Sequence, residues 1–290
     1  MDTLLHQLFA GLANGGIYAA LALAIVMIYQ ATHLVNFAQG ELAMFSTYLA
    51  WAMISAGLPY WVAFVATLAV SFVCGAAIER LVIRPMAHAP VLSVVIVFIA
   101  LLLIFNSLAG FFFGTDIQTF PSPFPELEYT DNSWFSAHEL GILGVTFLVV
   151  IALWAFFRFT SLGLALRAVA VNPASARLVG IRVGSMLALG WGLSAAIGAI
   201  AGMMIAPVVF LEPNMMAGVQ IYAFAAALIG GIDSPAGAVL GGFIVGVLEN
   251  ILGAYWIGTE LKLTVALAMI VLVLIVKPSG LLGKTLVTRV

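Results

Sequence analysis

Long stretches without any charged residue restrict the fold of this chain more than any other feature of its sequence. Lys, Arg, Asp and Glu are absent from residues 3–40, 42–78, 85–115, 140–157, 183–211 and 213–232. A helix needs about 20 mostly apolar residues to cross the hydrocarbon core of a bilayer. Because lipid offers no hydrogen-bond partner, the backbone of such segments must be satisfied within a helix. The stretches therefore predict an all-α integral membrane protein.

The overall composition excludes several classes of protein. The chain of 290 residues is 64% hydrophobic and 8% charged, whereas soluble domains are roughly half apolar and a quarter charged. Ordinary soluble enzymes and disordered regulators are thereby excluded. With 10 Lys and Arg against 12 Asp and Glu, the chain has no basic surface for a nucleic-acid partner. The single cysteine, Cys74, excludes an internal disulfide and a CxxC metal site, and we expect no metal and no cofactor.

Nine apolar segments are predicted to be helices. They cover residues 8–29, 41–56, 60–81, 91–113, 140–157, 184–211, 218–232, 235–257 and 261–276. Two of these segments, 41–56 and 218–232, are short enough to be halves of broken helices. We therefore predict a polytopic helical bundle of eight or nine spans with broken or re-entrant helices, forming a single transmembrane domain over residues 1–290.

The distribution of basic residues predicts the orientation, because Lys and Arg are enriched on the cytoplasmic side of membrane proteins. If the N-terminus lies outside, nine of the ten Lys and Arg residues are cytoplasmic and Lys262 is the exception. Residues 158–183 then form a cytoplasmic segment, and residues 114–139 form an external loop with five acidic and no basic residues. This loop is either an interfacial connector with aromatic side chains at headgroup level, or a cover over the outer mouth that contacts an external partner.

Polar residues separate two apolar runs in the segment 33–41, which reads HLVNFAQGE. We predict that Gln39 and Gly40 interrupt the helix and that Glu41 begins the next one, since the partial positive charge of a helix N-terminus favours an acid. A break at membrane depth requires burial in protein or a polar cavity, and transporters place broken helices on their substrate path. The alternative is an ordinary cytoplasmic turn. The candidate pathway residues are Asn36, Phe37, Gln39, Gly40 and Glu41.

Glu249 is a further charged residue within an apolar segment, next to Asn250. A charge at the centre of a membrane helix costs about 2.5–3.5 kcal/mol on insertion scales, so we add Glu249 to the candidate pathway residues. Two other interpretations stay open: an interhelical polar pair, or a position near the interface with a hydrogen bond to a neighbouring helix.

The cytoplasmic segment contains the signals of a short helix. Asn172 is a favourable N-cap, Pro173 suits the first helical position and Gly180 suits the residue beyond the last turn, which predicts a helix over 173–179. Two turns are too few for a stable isolated helix, so this helix must dock against something. It either rests on the bilayer or acts as a lever that engages a cytoplasmic subunit. The candidate coupling residues are Arg167, Asn172, Pro173, Ala176, Arg177 and Gly180.

Glycines are concentrated in the segment 230–242. A phosphate-binding loop is excluded because the pattern GxxxxGK(S/T) is absent and the one nearby charge, Asp233, is acidic. A sharp turn between closely packed helices explains these glycines. Close packing is also indicated by glycine pairs at four-residue spacing, namely Gly11/Gly15, Gly198/Gly202, Gly237/Gly241 and Gly242/Gly246.

The segments 33–41, 158–183 and 230–242, in this order, resemble those of the LivH-type permease subunits of branched-chain amino acid ABC importers. The resemblance covers nearly the whole chain. Two positions depart from the family pattern, since Gln39 stands where the family often has His and Asp233 stands where Gly is common. The matching motifs are GIYAA at 16–20, NFAQGE at 36–41, LRA at 166–168, NP at 172–173, GI at 180–181, the glycine-rich stretch 230–242 and KPSGLLG at 277–283.

The resemblance implies a transport subunit rather than an enzyme, located in the bacterial inner membrane. It implies as partners a larger LivM-type permease, two cytoplasmic ATPase subunits and a periplasmic amino-acid-binding protein. ATP hydrolysis on those partners would then drive the import of branched-chain amino acids. The short cytoplasmic helix would couple to the ATPase subunits, and the pathway residues would border the route of a zwitterionic amino acid.

Other functions stay open on the sequence alone. The same machine can carry urea, an amide or a different amino acid, which uptake competition would distinguish. A secondary transporter or channel needs no ATPase, and proton- or sodium-dependent uptake by the chain alone would identify it. An intramembrane enzyme is discounted because HExxH and paired intramembrane Asp motifs are absent and the 4 His residues are scattered.

Overall fold

The computed structural model describes residues 2–124 and 136–283, and this part of the chain is almost entirely helical. The described residues contain no β-strand, only an isolated bridge between Gln118 and Leu211, so the all-α class is confirmed. The α-helices are α1 (Asp2–Thr32), α2 (Gln39–Ser55), α3 (Tyr60–Ile78), α4 (Val91–Phe113), α5 (Ala137–Phe159), α6 (Ser161–Val171), α7 (Pro173–Leu178), α8 (Val183–Val209), α9 (Met216–Gly230), α10 (Pro235–Leu252) and α11 (Lys262–Val276).

Short irregular turns extend two of these helices. A π-helical turn (Glu79–Ile83) and a 3₁₀ turn (Arg84–Met86) prolong α3. A π-helical turn (Gly253–Ile257) and a 3₁₀ turn (Thr259–Leu261) lead from α10 into α11. The predicted segment 60–81 therefore ends within the first π-helical turn, and the predicted segment 235–257 ends with the second.

All nine predicted apolar segments are helical, although not all are long enough to cross a bilayer unaided. Within the described residues, 6 helices are long and apolar enough to do so: Thr3–Gln30, Tyr60–Met86, Val91–Phe113, Ala137–Phe159, Val183–Val209 and Pro235–Trp256. The other three, α2, α9 and α11, have 17, 15 and 15 residues. Multiple spans are thus confirmed, and the number eight or nine stays a prediction.

The chain packs into two compact units. The first unit contains Met1–Val26, Phe124–Thr146 and Ala217–Val290, and the second contains Met27–Pro123 and Phe147–Met216. Each unit therefore combines segments that are distant in the sequence.

In the first unit, the start of α1 packs on α10 through glycines. A Cβ atom at Gly11 would lie 3.0 Å from the carbonyl oxygen of Gly246, and one at Gly15 would lie 2.9 Å from Cα of Phe243. A Cβ at Gly246 would collide with the backbone of Gly15. Two of the predicted glycine pairs are therefore packing partners, because only small residues allow helix backbones to approach this closely.

The glycine-rich segment forms the predicted sharp turn between α9 and α10. A Cβ at Gly230 would collide with the backbone of Gly237. The amides of Leu281 and Leu282 donate hydrogen bonds to the carbonyl oxygens of Ile229 and Gly230 at 2.8 and 2.9 Å. The last part of the described chain thus satisfies carbonyl groups that the end of a helix otherwise leaves without partners.

In the second unit, α8 is the central helix and packs against α2 and α3. A Cβ at Gly75 of α3 would lie 2.6 Å from the carbonyl oxygen of Trp191. A Cβ at Gly202 would lie 2.8 Å from the carbonyl oxygen of Ala43 on α2. The predicted Gly198/Gly202 pair therefore lies at the contact between α8 and α2, and it sets how closely the broken segment before α2 approaches α8.

Candidate functional site

The chain is interrupted between α1 and α2, at residues 33–38. His33 has a left-handed φ of 56°, and the amide of Ala38 donates a 3.0 Å hydrogen bond to Oδ1 of Asn36. This side-chain turn positions the chain for α2, which begins at Gln39. The prediction that Gln39 and Gly40 interrupt the helix is therefore wrong, because both lie in the first turn of α2. Glu41 lies in that turn as predicted.

The start of α2 is tied to the middle of α8 by buried hydrogen bonds. Nε2 of Gln39 donates to the carbonyl oxygen of Ser194 at 3.1 Å, and Oγ of Ser194 donates to Oε1 of Gln39 at 3.2 Å. Nδ2 of Asn36 donates to the same oxygen at 3.3 Å. Asn36 and Gln39 are both fully buried. The break thus lies inside the protein, level with the middle of a membrane-spanning helix, which favours the first interpretation over a cytoplasmic turn.

Glu41 is buried and contacts an amide rather than a base. Nδ2 of Asn106 on α4 lies 3.4 Å from Oε2 of Glu41. The same nitrogen donates to the carbonyl oxygen of Pro213 at 2.9 Å and to Oδ1 of Asn214 at 3.1 Å. Asn214 is exposed in the segment that follows α8, and Phe37 is partly exposed before α2. We did not single out Asn106 and Asn214 from the sequence, although an amide within the apolar run of α4 is itself a signal.

Glu249 belongs to a polar cluster in the first unit. Oη of Tyr18 donates a 2.9 Å hydrogen bond to Oε2 of Glu249, and Nζ of Lys262 lies 3.4 Å from Oε1. Nζ of Lys262 also donates to Oδ1 of Asn250 at 3.1 Å. These contacts favour the interhelical interpretation of Glu249. They also provide an acidic partner for Lys262, the one basic residue that the sequence places outside the predicted cytoplasmic side.

The predicted short helix that follows Asn172 is confirmed as α7. The amide of Ser175 donates a 3.0 Å hydrogen bond to Oδ1 of Asn172, and Pro173 is the first helical residue. Gly180 has a φ of 84°, a conformation that L-residues rarely adopt and that Gly adopts freely. Its amide donates to the carbonyl oxygen of Arg177 at 3.0 Å, closing the helix as predicted.

A second short helix, α6, directly precedes α7 and has no counterpart among the predicted helices. Oγ1 of Thr160 accepts a 3.0 Å hydrogen bond from the amide of Gly163 and donates to the carbonyl oxygen of Phe156 at 2.6 Å. The N-cap signal was thus present in the sequence at Thr160. Because Gly163 packs on the backbone of Phe156 and Phe157, α6 turns back tightly from the end of α5.

The helix α7 docks on its own chain and leaves an apolar tip exposed. Ala176 is buried in a cluster with Val169 of α6 and Val183 of α8. Leu178 and Val179, in contrast, are 89% and 76% exposed. Arg167 and Arg177 are exposed as well. The end of α7 therefore presents two apolar side chains, with exposed arginines on α6 and α7, while Ala176 packs α7 against α6 and α8.

A cleft of about 480 Å³ lies beside this segment, between the ends of α3, α4, α7 and α8. At its edge, the guanidinium of Arg84 forms two hydrogen bonds to Glu79, at 2.6 and 3.2 Å. It also donates to the carbonyl oxygen of Gly184 at 2.6 Å. Arg84 thus ties the end of α3 to the first turn of α8.

The predicted external loop 114–139 lies partly outside the described residues, which exclude 125–135 and with them Tyr129, Trp134 and Phe135. Its first part, residues 114–123, belongs to the second unit. Gln118 exchanges two 2.9 Å backbone hydrogen bonds with Leu211, and the ring of the buried Phe120 lies 6.1 Å from that of Tyr60. These contacts leave both interpretations of the loop open.

The model of one protein family, described as the branched-chain amino acid transport system permease component, matches residues 7–274. The chain belongs to this family. Family membership and the helices long enough to span a bilayer together make it a multi-pass membrane transport protein rather than an enzyme. The branched-chain permease motifs found in the sequence fall in this matched region, apart from the final KPSGLLG at 277–283.

Named relatives of this permease family are similar over almost the full length. The chain is 32% identical to the high-affinity branched-chain amino acid transport system permease protein LivH of Escherichia coli K12, covering 99% of this chain and 97% of that protein. It is 32% identical to the corresponding protein BraD of Pseudomonas aeruginosa, over 99% and 98% of the two chains. A probable LivH permease of Methanocaldococcus jannaschii is 30% identical, over 91% and 87%.

A solved structure shares the fold of this permease chain. A chain of PsaBC from Streptococcus pneumoniae in complex with Fab superposes with a TM-score of 0.52, covering 93% of this chain and 91% of that one. The two sequences are 15% identical. At this identity the likeness supports the helical architecture and nothing more specific.

Proposed function

We propose that this chain is the membrane-spanning permease subunit of a binding-protein-dependent ABC importer that moves branched-chain amino acids into the cell. The observation that carries the proposal is the family match over residues 7–274, at about a third identity to LivH and BraD proteins. The whole chain, residues 1–290, would act as a single permease domain. Its place is the bacterial inner membrane.

In the proposed assembly, partner subunits supply the rest of the membrane part, the ATP hydrolysis and the delivery of cargo. A second, LivM-type permease completes the membrane part, and two cytoplasmic ATPase subunits supply the energy. A periplasmic amino-acid-binding protein delivers the cargo. These partners follow from the resemblance to LivH-type permeases, whose named members belong to high-affinity transport systems.

In this proposal α7 couples the ATPase subunits to the membrane helices. Its exposed apolar residues Leu178 and Val179 would enter a groove on the ATPase, with Arg167 and Arg177 beside them. A displacement of α7 would reach α8 directly, because Ala176 packs on Val183. Asn172, Pro173 and Gly180 set the two ends of α7 and thereby hold the tip in place.

The proposed substrate route passes the start of α2. Glu41 and Phe37 would face the route, while the buried pair Asn36 and Gln39 would hold the break open against α8. Gly40 has no side chain and would therefore leave space for the substrate beside the first turn of α2. For Glu249, the hydrogen bond from Tyr18 and the contact with Lys262 favour a structural role over direct contact with the cargo.

Reconstitution tests the function directly. The chain should be co-purified with the LivM-type permease, the ATPase subunits and the binding protein of the proposed assembly and placed in proteoliposomes. We expect uptake of radiolabelled leucine that requires ATP and the binding protein, and that excess unlabelled isoleucine abolishes. If excess urea reduced the uptake and isoleucine did not, the cargo would be urea or a related amide instead of a branched-chain amino acid. Uptake by the chain alone, driven by a proton or sodium gradient, would identify a secondary transporter and overturn the proposal.

A further inference from the structure

Three glutamates are buried in the described part of the chain, and two of them face a base. Glu79 is 1% exposed and is paired with Arg84 at 2.6 Å, and Glu249 is 4% exposed and lies 3.4 Å from Lys262. Glu41 is 5% exposed. Across residues 2–124 and 136–283, no Lys, Arg or His lies within ion-pair distance of Glu41. A buried carboxylate without a counter-charge is costly, and such residues in membrane helices usually mark a functional site.

The surroundings of Glu41 converge on one nitrogen atom. Three oxygens surround Nδ2 of Asn106: Oε2 of Glu41 at 3.4 Å, the carbonyl oxygen of Pro213 at 2.9 Å and Oδ1 of Asn214 at 3.1 Å. A side-chain amide has two hydrogens for these three acceptors, whereas a primary ammonium group has three. The charged oxygen is also the one that the amide reaches least well. The three oxygens, called the cradle below, thus fit an ammonium group better than the amide that now lies among them.

The cradle is connected to the surface and bordered by apolar rings. Asn214, which contributes one oxygen, is exposed, and the partly buried amide of Asn106 links it to Glu41. On the same face of α2, Phe45 packs on Phe105 of α4 with ring centroids 5.4 Å apart. Oη of Tyr48, two turns beyond Glu41, is buried and has no hydrogen-bond partner among the described residues. An amine with an apolar side chain matches this combination of acceptors and aromatic surface.

We infer that the cradle binds the α-ammonium group of the transported amino acid, and that the amide of Asn106 occupies this place until the cargo displaces it. Glu41 then selects for cargo that carries a positive charge on a primary amine. Urea and uncharged amides lack this charge and lose the carboxylate contact. A hard metal ion is a poorer match, because Ca²⁺ takes six to eight oxygen ligands and Mg²⁺ six. This inference rests on the proposed function, since it assumes that the amino acid passes this chain.

The test compares Glu41→Gln with Glu41→Asp in the complete importer, reconstituted in proteoliposomes with its binding protein and assayed with radiolabelled leucine. Gln keeps the shape and can still accept from Asn106, but it removes the charge. We expect Glu41→Gln to lower the initial uptake rate about tenfold or more, as expected for losing a hydrogen bond to a charged group. Glu41→Asp should retain clearly more uptake. The matched control Glu212→Gln replaces an acid between α8 and α9 that contributes no atom to the cradle, and its uptake should stay within about twofold of the wild type.

A stability measurement separates recognition from a structural role. If the carboxylate serves the cargo, the Glu41→Gln complex in detergent should unfold thermally at the same or a higher temperature than the wild type, because a buried uncompensated charge is gone. Uptake of Glu41→Gln within twofold of the wild type would overturn the inference. So would a loss of uptake that Asp shares fully and that follows a lower unfolding temperature. Absence of ATP-dependent uptake by the wild-type importer would instead count against the proposed function.

Discussion

Oη of Tyr18 donates a 2.9 Å hydrogen bond to Oε2 of Glu249, joining the first helix of the chain to the tenth. Lys262, at the start of α11, approaches the other carboxylate oxygen to 3.4 Å. In this largely buried group, the carboxylate of Glu249 has both a hydrogen-bond donor and a basic partner. The first unit therefore contains a polar link between three of its helices, in a setting where apolar contacts alone give little preference for one partner over another.

This link predicts that Lys262→Met destabilises the protein by leaving Glu249 without a counter-charge. We expect the free energy of unfolding to fall by about 2 kcal/mol, below the range for a fully buried pair, because the side chain of Lys262 is 22% exposed. Thermal unfolding of the purified complex in detergent would measure the change. The double variant Lys262→Met/Glu249→Gln should recover most of the loss. An unfolding temperature of Lys262→Met equal to that of the wild type would contradict the prediction.

The close contact of α1 with α10 predicts that Gly246→Ala is harmful although the added group is a single methyl. Its Cβ would collide with the backbone of Gly15, and overpacking of this kind costs about 1–3 kcal/mol. The yield of folded protein and its thermal midpoint are the measurements. The control is Gly144→Ala on α5, where a Cβ meets nothing within 4 Å and the change should be neutral or slightly stabilising. Equal behaviour of the two variants would argue against the packing explanation.

The exposed tip of α7 predicts that Leu178→Ser impairs coupling to the ATPase without destabilising the fold. Leu178 is 89% exposed, so its replacement should alter the free energy of unfolding by no more than about 0.5 kcal/mol. If the tip docks on the ATPase, leucine uptake and the ATP hydrolysis stimulated by the loaded binding protein should both fall at least tenfold, as expected when an apolar anchor at the centre of an interface is lost. Normal stimulated hydrolysis in this variant would show that coupling does not use the tip.

The N-cap of α7 predicts a difference between two substitutions of the same residue. Asn172→Ala removes the acceptor for the amide of Ser175, which destabilises the helix by about 1 kcal/mol, whereas Asn172→Asp keeps an acceptor. We expect uptake to fall with Ala and to be largely retained with Asp. Measuring uptake at two temperatures would sharpen the comparison, since a frayed helix should lose more at the higher one. Equal activity of the two variants would mean that α7 is held by its packing on α6 and α8 alone.

The elements whose signals are local could be predicted from the sequence. Asn172, Pro173 and Gly180 lie within one short segment and specify α7 without help from the rest of the chain. The glycine pairs of α1 and α10 were visible because each pair falls within one helix, although which pairs meet was not. The start of α2 was misplaced because Gly40 suggests a break, while the hydrogen bond from Ala38 to Asn36 completes the turn earlier.

The cradle could not be predicted, because it consists of contacts between distant residues. Asn106 is separated from Glu41 by 65 positions and from Asn214 by 108. No periodicity within α2 or α4 reports that these side chains meet. The sequence identified Glu41 as a helix-start acid and a candidate pathway residue. The arrangement of three oxygens around one nitrogen appears only when α2, α4 and the segment after α8 are placed together.

The glycine contact between α1 and α10 also sets an order of events during synthesis. The first helix leaves the ribosome early, whereas Gly242 and Gly246, against which it packs, follow more than 200 residues later. By then, the residues of the second unit have all been translated. In the growing chain, the glycines of α1 therefore cannot pack on α10 when α1 is made. This contact of the first unit forms only after α10 has been translated, late in synthesis.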